Sequence, residues 1–284
     1  MSVIADRYES AEAADRLDGR ARLAAQRVEA GEQRRLAARL GNALQEGAFQ
    51  LQFQPRIALE TGLVAGAEAR LGLPHRRRGM IPLDETVKSL AGPARLALME
   101  QISEFLLNQA CVTAAEWPPG WSVAVNIAAR CAGTRQFAQA VEKALSASKL
   151  TPQRLDLEIA EADLVEAGIT VRDGLAALRA LGVGIILDEF GHAYASLALL
   201  RRLPLAGLKL DRSLTRSLDA SAEDRALLRA TVEIGHGLGL RIAAEGVETG
   251  AQLDLLRRAG CDEAQGPWLG PPMPPGDMRM QRSS

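Results

Sequence analysis

Apolar and polar residues alternate through Leu51-Gln52-Phe53-Gln54, and a period of two predicts a strand. A second run, Leu63 to Ala69, follows the short link Glu60-Thr61-Gly62. So short a link makes a hairpin, so these two strands are expected to run antiparallel. Beyond them the pattern switches between helical and strand periods. Helices are predicted over about 93–116, 133–149, 162–180, 195–203, 222–237 and 249–259, and strands over about 122–127, 155–159, 183–188, 207–211, 240–245 and 261–265. That alternation predicts a mostly parallel α/β fold.

The predicted strands end on polar or charged residues, in order Gln54, Glu68, Asn126, Glu158, Asp188, Lys209, Glu245 and Gln265. Eight strands that bring eight such side chains to one rim describe a TIM-like (β/α)8 barrel with an antiparallel first strand, its site at the strand ends. The stretch Ile185 to Leu200 shows the device best: a buried apolar run stops at Asp188 and Glu189, Phe190-Gly191 turn the chain, and a helix follows. A solvated turn with two capping acids is the competing reading of that stretch alone. Lysine is scarce here, at positions 88, 143, 149 and 209, and Lys209 alone sits inside a strand-like run, Gly207-Leu208-Lys209-Leu210-Asp211. Its position suggests a specific task, against the alternative of a lysine snorkelling to solvent.

Outside the barrel, residues 1–47 are rich in Ala, Arg and Glu, lack Pro, and read as a helical segment with a signalling or dimerising role. The barrel domain is expected over 48–275, with Pro271-Pro272-Met273-Pro274-Pro275 as an extended stretch, and a C-terminal tail over 276–284. Gly235-His236-Gly237-Leu238-Gly239 reads as a glycine-rich helix end rather than a phosphate loop.

Composition narrows the chemistry. The 284 residues are 47% hydrophobic and 24% charged with a formal net charge of −1, which gives no support for DNA or membrane binding. No apolar run approaches the ~18 residues that span a bilayer, and the acidic N-terminus does not read as a secretory signal. Cys111, Cys131 and Cys261 make neither a disulfide framework nor a zinc pattern and are expected as buried thiols in a reducing cytoplasm.

The candidate rim is rich in carboxylates: Glu68, Glu158, Asp188, Glu189 and Glu245, with Glu161 and Glu248 three residues beyond two of them. Oxygen-only ligands suit Mg²⁺, Mn²⁺ or Ca²⁺, and one or two such ions beside Lys209 would offset the repulsion. This is the equipment of phosphodiester hydrolysis. Two-carboxylate sugar chemistry is the alternative, disfavoured by an aromatic content of 4%.

The ordered set Gln54-Pro55, Gly66-Ala67-Glu68-Ala69, Val125-Asn126-Ile127, Leu157-Glu158-Ile159-Ala160-Glu161, Asp188-Glu189-Phe190-Gly191, Leu208-Lys209-Leu210-Asp211, Ala244-Glu245-Gly246-Val247-Glu248-Thr249 and Gln265-Gly266 resembles the EAL-domain phosphodiesterases. That resemblance implies metal-dependent hydrolysis of cyclic di-GMP to the linear dinucleotide pGpG with Mg²⁺ or Mn²⁺, in a cytoplasmic, commonly dimeric protein. It implies Glu68, Asn126, Glu158, Asp188 and Glu189 as metal ligands, Lys209 as holder of the attacking water and Glu245 as general base or a further metal-site acid. It also implies Glu161 as a loop-ordering residue, Gln54 as a ligand contact and Gln265 as polar support of the site.

Three departures accompany the match. The family leucine is Arg70 here and the family's phosphate-gripping arginine is Gly72; Glu189 replaces an aspartate; His192-Ala193 replace threonine-glycine. Residues 68, 70 and 72 share one strand face, so Arg70 either replaces the clamp, pairs with Glu68 against the metal, or snorkels. A catalytically silent cyclic di-GMP receptor and a protein-interaction scaffold are the alternatives to an enzyme.

Overall fold

The computed structural model describes residues 31–278 apart from 78, 84–86, 88, 89, 91 and 192–196. Its building rule is visible in one strand, β5 (Leu155–Ala160), where Leu155, Leu157 and Ile159 are buried on one face and Asp156 and Glu158 on the other. The apolar face packs under helices, and the acidic face points into the barrel. The same alternation recurs in β1 (Gln50–Ala58), β2 (Val64–His75), β4 (Ser122–Asn126), β6 (Gly184–Phe190), β7 (Gly207–Leu210), β8 (Arg241–Ala244) and the short β9 (Glu263–Ala264).

These eight strands close into a ring in the order β1-β9-β8-β7-β6-β5-β4-β2, with β1 paired back to β2. β1 is antiparallel to both neighbours, as the hairpin predicts, and the other pairings around the ring are parallel. The alternation of strands and helices is therefore a TIM-like α/β barrel. One strand was not foreseen: β3 (Gly79–Pro82) adds antiparallel to an extension of β2, which runs to His75 instead of stopping near Ala69.

Helices Gly92–Ala115, Arg135–Ser148, Arg172–Ala180, Leu197–Arg202, Ala222–Gly237 and Gly250–Ala259 fall where their periodicity places them. Local chemistry sets several starts: Thr134 accepts from the Phe137 N–H, and Thr249 and Gln252 form a reciprocal capping box. The helix expected over 162–180 is broken by Gly168 at φ 67° into Glu161–Ala167, a 3₁₀ turn and Arg172–Ala180. The stretch Gly235–Gly239 ends a helix, as expected, with Gly239 at φ 73°.

Both flanks differ from expectation. Helix 31–45 is present, and its Leu40 and Leu44 are buried in the barrel's own core; residues 1–30 of the expected segment lie outside the described residues. Met273 exchanges backbone hydrogen bonds of 2.8 and 2.9 Å with Phe53, so the proline-rich stretch is strapped to β1. The expected tail over 276–284 starts inside the fold, because helix Pro275–Met278 buries Met278 completely. The three cysteines are free and buried, and burial pushes each thiol up to about 12.

Candidate active site at the carboxyl ends of the strands

Lys209, near the end of β7, is 1% exposed. Its ammonium lies 2.7 Å from Glu158 Oε2, 3.0 Å from Glu68 Oε2, 3.3 Å from Asp188 Oδ2 and 3.9 Å from Glu245 Oε2. The snorkelling alternative for Lys209 is excluded by that burial. Four segments distant in sequence reach one lysine because closure of the ring gathers them around the barrel interior, β6 and β8 beside β7, β5 next to β6 and β2 from across the barrel, and the pleat sends alternate side chains inward.

Glu68 is the best-supported carboxylate. Its Oε1 accepts from Asn126 Nδ2 at 2.8 Å and Arg70 Nε at 3.1 Å, and its Oε2 accepts from Lys209 and from Gln265 Nε2 at 2.5 Å. Gln54 stands opposite Glu68 in the β1–β2 register, is buried, and donates to the Gly270 carbonyl at 3.3 Å. Glu161 is buried at the start of the helix after β5.

One ammonium against four carboxylates leaves negative charge in excess. Two unit charges 4 Å apart interact by about 4 kcal/mol at an effective dielectric near 20, so the surplus is relieved by protons or by a cation. Burial, with Glu68 and Asp188 beside it, lifts the Glu158 carboxyl to about 7 despite Lys209. Burial and the Glu245 and Glu68 charges lift Asp188 to about 6. Glu245 is raised too, mainly by burial, with Glu68 and Asp211 adding to it. Burial works against ionised Glu68 as well, but Arg70, Lys209 and the Gln265 hydrogen bond overcome it and hold that carboxyl well below its usual range. Lys209 is held well above its usual value by the four acids, against the cost of burial.

The donor set fits a hard divalent cation. Glu68, Asn126, Glu158 and Asp188 offer oxygens, and Glu158 Oε1 is a buried carboxylate oxygen without a hydrogen-bond partner among the described residues. As they stand, the acids surround the ammonium: among the described residues no three His, Cys, Asp or Glu side chains already form a ligand set.

Glu189 stands apart from the gathered acids, and Arg70 follows one of its expected readings. Glu189 is exposed, with φ 56°, in the irregularity where β6 loses register with β7. Its backbone N–H donates to Asp188 Oδ1 at 2.8 Å, and its carboxylate is not among those gathered on Lys209. It does not join the cluster because the bulge that orients Asp188 turns the next side chain outward. Arg70 pairs with Glu68, the second of its three readings. His192 and Ala193 lie outside the described residues.

The sequence reading missed Met80 and Asp211. A Cβ on Gly72 would fall on Met80 Cγ and lie 2.6 Å from its Sδ, so a neighbouring strand fills the space beside the missing clamp. No local signal reveals that, because β3 was not foreseen. Asp211 caps the helix Arg212–Ser217 through the Ser213 N–H at 2.8 Å and adds negative charge near Glu245. Its place after Lys209 in the strand-end motif was the available clue.

A mostly parallel barrel with an acid-and-lysine cluster at the carboxyl ends of its strands defines a TIM-like α/β protein with its site where that class places one. The EAL domain family model matches residues 37–272, and the chain belongs to that family. It is 36% identical over 249 residues to the bifunctional diguanylate cyclase/cyclic di-GMP phosphodiesterase MucR of Pseudomonas aeruginosa, covering 86% of this chain and 36% of that protein. It is 37% identical over 240 residues to the uncharacterised y4lL of Sinorhizobium fredii, covering 84% of this chain and 29% of that one. The chain thus spans about a third of the length of these curated relatives. Among solved structures, the PaMucR phosphodiesterase in complex with c-di-GMP superposes with a TM-score of 0.78 at 35% identity, over 86% of this chain and 99% of that one. Among the described residues no helix is long and apolar enough to cross a membrane.

Proposed function

We propose that this chain hydrolyses cyclic di-GMP to linear pGpG with Mg²⁺ or Mn²⁺. The observation that carries the reading is Lys209 on Glu68, Glu158 and Asp188 from three strands, with Glu245 3.9 Å away, in a barrel that shares 35% of its residues with a c-di-GMP-bound phosphodiesterase. Glu68, Asn126, Glu158 and Asp188 would hold the ion. When bound, it supplies a Lewis acid for the phosphodiester and lowers the pKa of a water.

The protein's own groups do the rest. Lys209 keeps its proton and orients the attacking water by donation. Glu245, 17% exposed and with its carboxyl raised by burial, accepts a proton from that water. The water oxygen bonds to phosphorus, the bond to one ribose oxygen breaks, and that oxygen takes a proton from solvent. Gln265 holds Glu68 in place, and Gln54 lies beside it for nucleotide contact. Glu161 orders the following loop. The same reading makes the protein a cytoplasmic homodimer that signals through its N-terminal helix.

A silent receptor is the second reading, favoured by one observation: Glu189 stands outside the cluster. Incubation with cyclic di-GMP and Mg²⁺ or Mn²⁺, followed by chromatography, separates the two. Linear dinucleotide is expected from the intact protein and not from Glu245→Ala; no product at micromolar enzyme over hours would rule out the enzyme.

A further inference from the structure

Glu68 accepts four donors, two on each oxygen, from Asn126, Arg70, Lys209 and Gln265. A carboxylate offers about four lone-pair sites, so Glu68 has none left for an ion until a donor leaves. Lys209 is buried on β7, and Gln265 is buried just after β9. Arg70 reaches back along its own strand, its side chain is 28% exposed, and it has a long flexible stem. Unlike buried Lys209 and Gln265, and unlike the short amide Asn126, it can swing away from Glu68 on that stem.

A guanidinium that leaves Glu68 stays on the rim. Residue 72, next on that face of β2, has no side chain, and Met80 fills the space beside it. Arg70 is therefore the cation that this strand presents toward a ligand above the acid cluster.

We propose that Arg70 is a displaceable counter-ion: a divalent cation takes its place at Glu68, and the released guanidinium grips a phosphate oxygen of the nucleotide. This rests on the phosphodiesterase reading for the identity of the nucleotide. Ion and nucleotide then both favour the state in which Arg70 has left Glu68, so each tightens binding of the other by the same factor. Arg70 acts here as a positioning and binding residue.

The test is Mn²⁺ titration, with free ion read by electron paramagnetic resonance, alone and with a phosphorothioate analogue of cyclic di-GMP that resists cleavage. Arg70→Gln is expected to bind Mn²⁺ about fivefold tighter than the intact protein, the worth of an ion pair of about 1 kcal/mol whose arginine is partly exposed. In the intact protein the analogue tightens Mn²⁺ binding by about fivefold or more; in Arg70→Gln that coupling falls toward one. Arg70→Lys, which keeps the charge without the fork, lies between them. Equal or weaker Mn²⁺ binding by a folded Arg70→Gln, or coupling unchanged by it, overturns the proposal. The Mn²⁺ result without nucleotide does not depend on hydrolysis. A tighter Arg70→Gln in a protein that makes no linear product would therefore remove the enzyme and leave the counter-ion.

Discussion

The two ends of the barrel both bury charge, and they do so by opposite arithmetic. At the floor, Asp156 accepts from Arg56 at 2.9 Å and Arg241 at 2.6 Å, and Glu263 lies 3.6 and 3.4 Å from the same two arginines. Ser122 Oγ accepts from Arg56 as well. Two cations meet two anions, and the set closes on itself. Gly184 belongs to it: a Cβ there would fall on Asp156 Oδ1. At the rim, Arg70 and Lys209 face Glu68, Glu158, Asp188 and Glu245. The floor is balanced in charge, although Arg56 Nε and Glu263 Oε2 make no hydrogen bond among the described residues, whereas the rim stores unbalanced charge that protons or a metal ion relieve. Burial of charge alone does not mark a site; burial out of balance does.

Breaking the floor should show the largest effect. Arg56→Met leaves Asp156 and Glu263 short of a buried partner, and unfolding in urea should show a loss of about 3–5 kcal/mol. Mn²⁺ binding by the folded variant should survive, since the rim is untouched; its loss would mean that the two ends are not separable.

Next in size is the response to metal. At a Mn²⁺ concentration about 100 times its dissociation constant, the intact protein should gain about 2.7 kcal/mol against denaturant. Glu158→Gln should lose most of that gain, while Arg56→Met keeps it. An equal metal response in all three would assign the ion elsewhere.

The smallest effect is a slope with pH. With Glu158 raised to about 7 and Asp188 to about 6, the metal-free native state holds protons that the unfolded chain, with ordinary carboxyls at about 4, has already released. Their contribution is complete below about pH 4 and falls as pH climbs through 6 and 7. Glu68, depressed instead, contributes stability that is present throughout this range and is lost only as pH falls below the ordinary carboxyl range. Stability of the intact metal-free protein between pH 5 and 8 should therefore decline more steeply than that of Glu158→Gln. Parallel curves would show that Glu158 is ionised throughout.

Much of this was legible in the chain. Order and periodicity placed the strands and the hairpin, because a half-buried strand must alternate and a three-residue link can only reverse the chain. The polar strand ends pointed to the rim: Glu68, Glu158, Asp188 and Glu245 gather there on Lys209, Asn126 and Gln265 donate to Glu68, and Gln54 stands opposite it, although Gln54 and Glu68 lie within β1 and β2 and not at their ends. The floor was not legible: Arg56, Asp156, Arg241 and Glu263 sit inside or at the start of strands, where a charge reads as facing solvent until the ring closes over it.

What the sequence determined by itself is thus the local part: which residues alternate, where helices begin and end, and which carboxylates stand at strand ends. Tertiary structure alone decided who meets whom. Lys209 meets Glu68 across 141 positions, Met80 fills the space over Gly72, and a bulge turns Glu189 out while Asp188 turns in. These depend on the register and closure of the sheet, where a shift of one residue sends every side chain to the other face. No stretch of the chain carries that information alone.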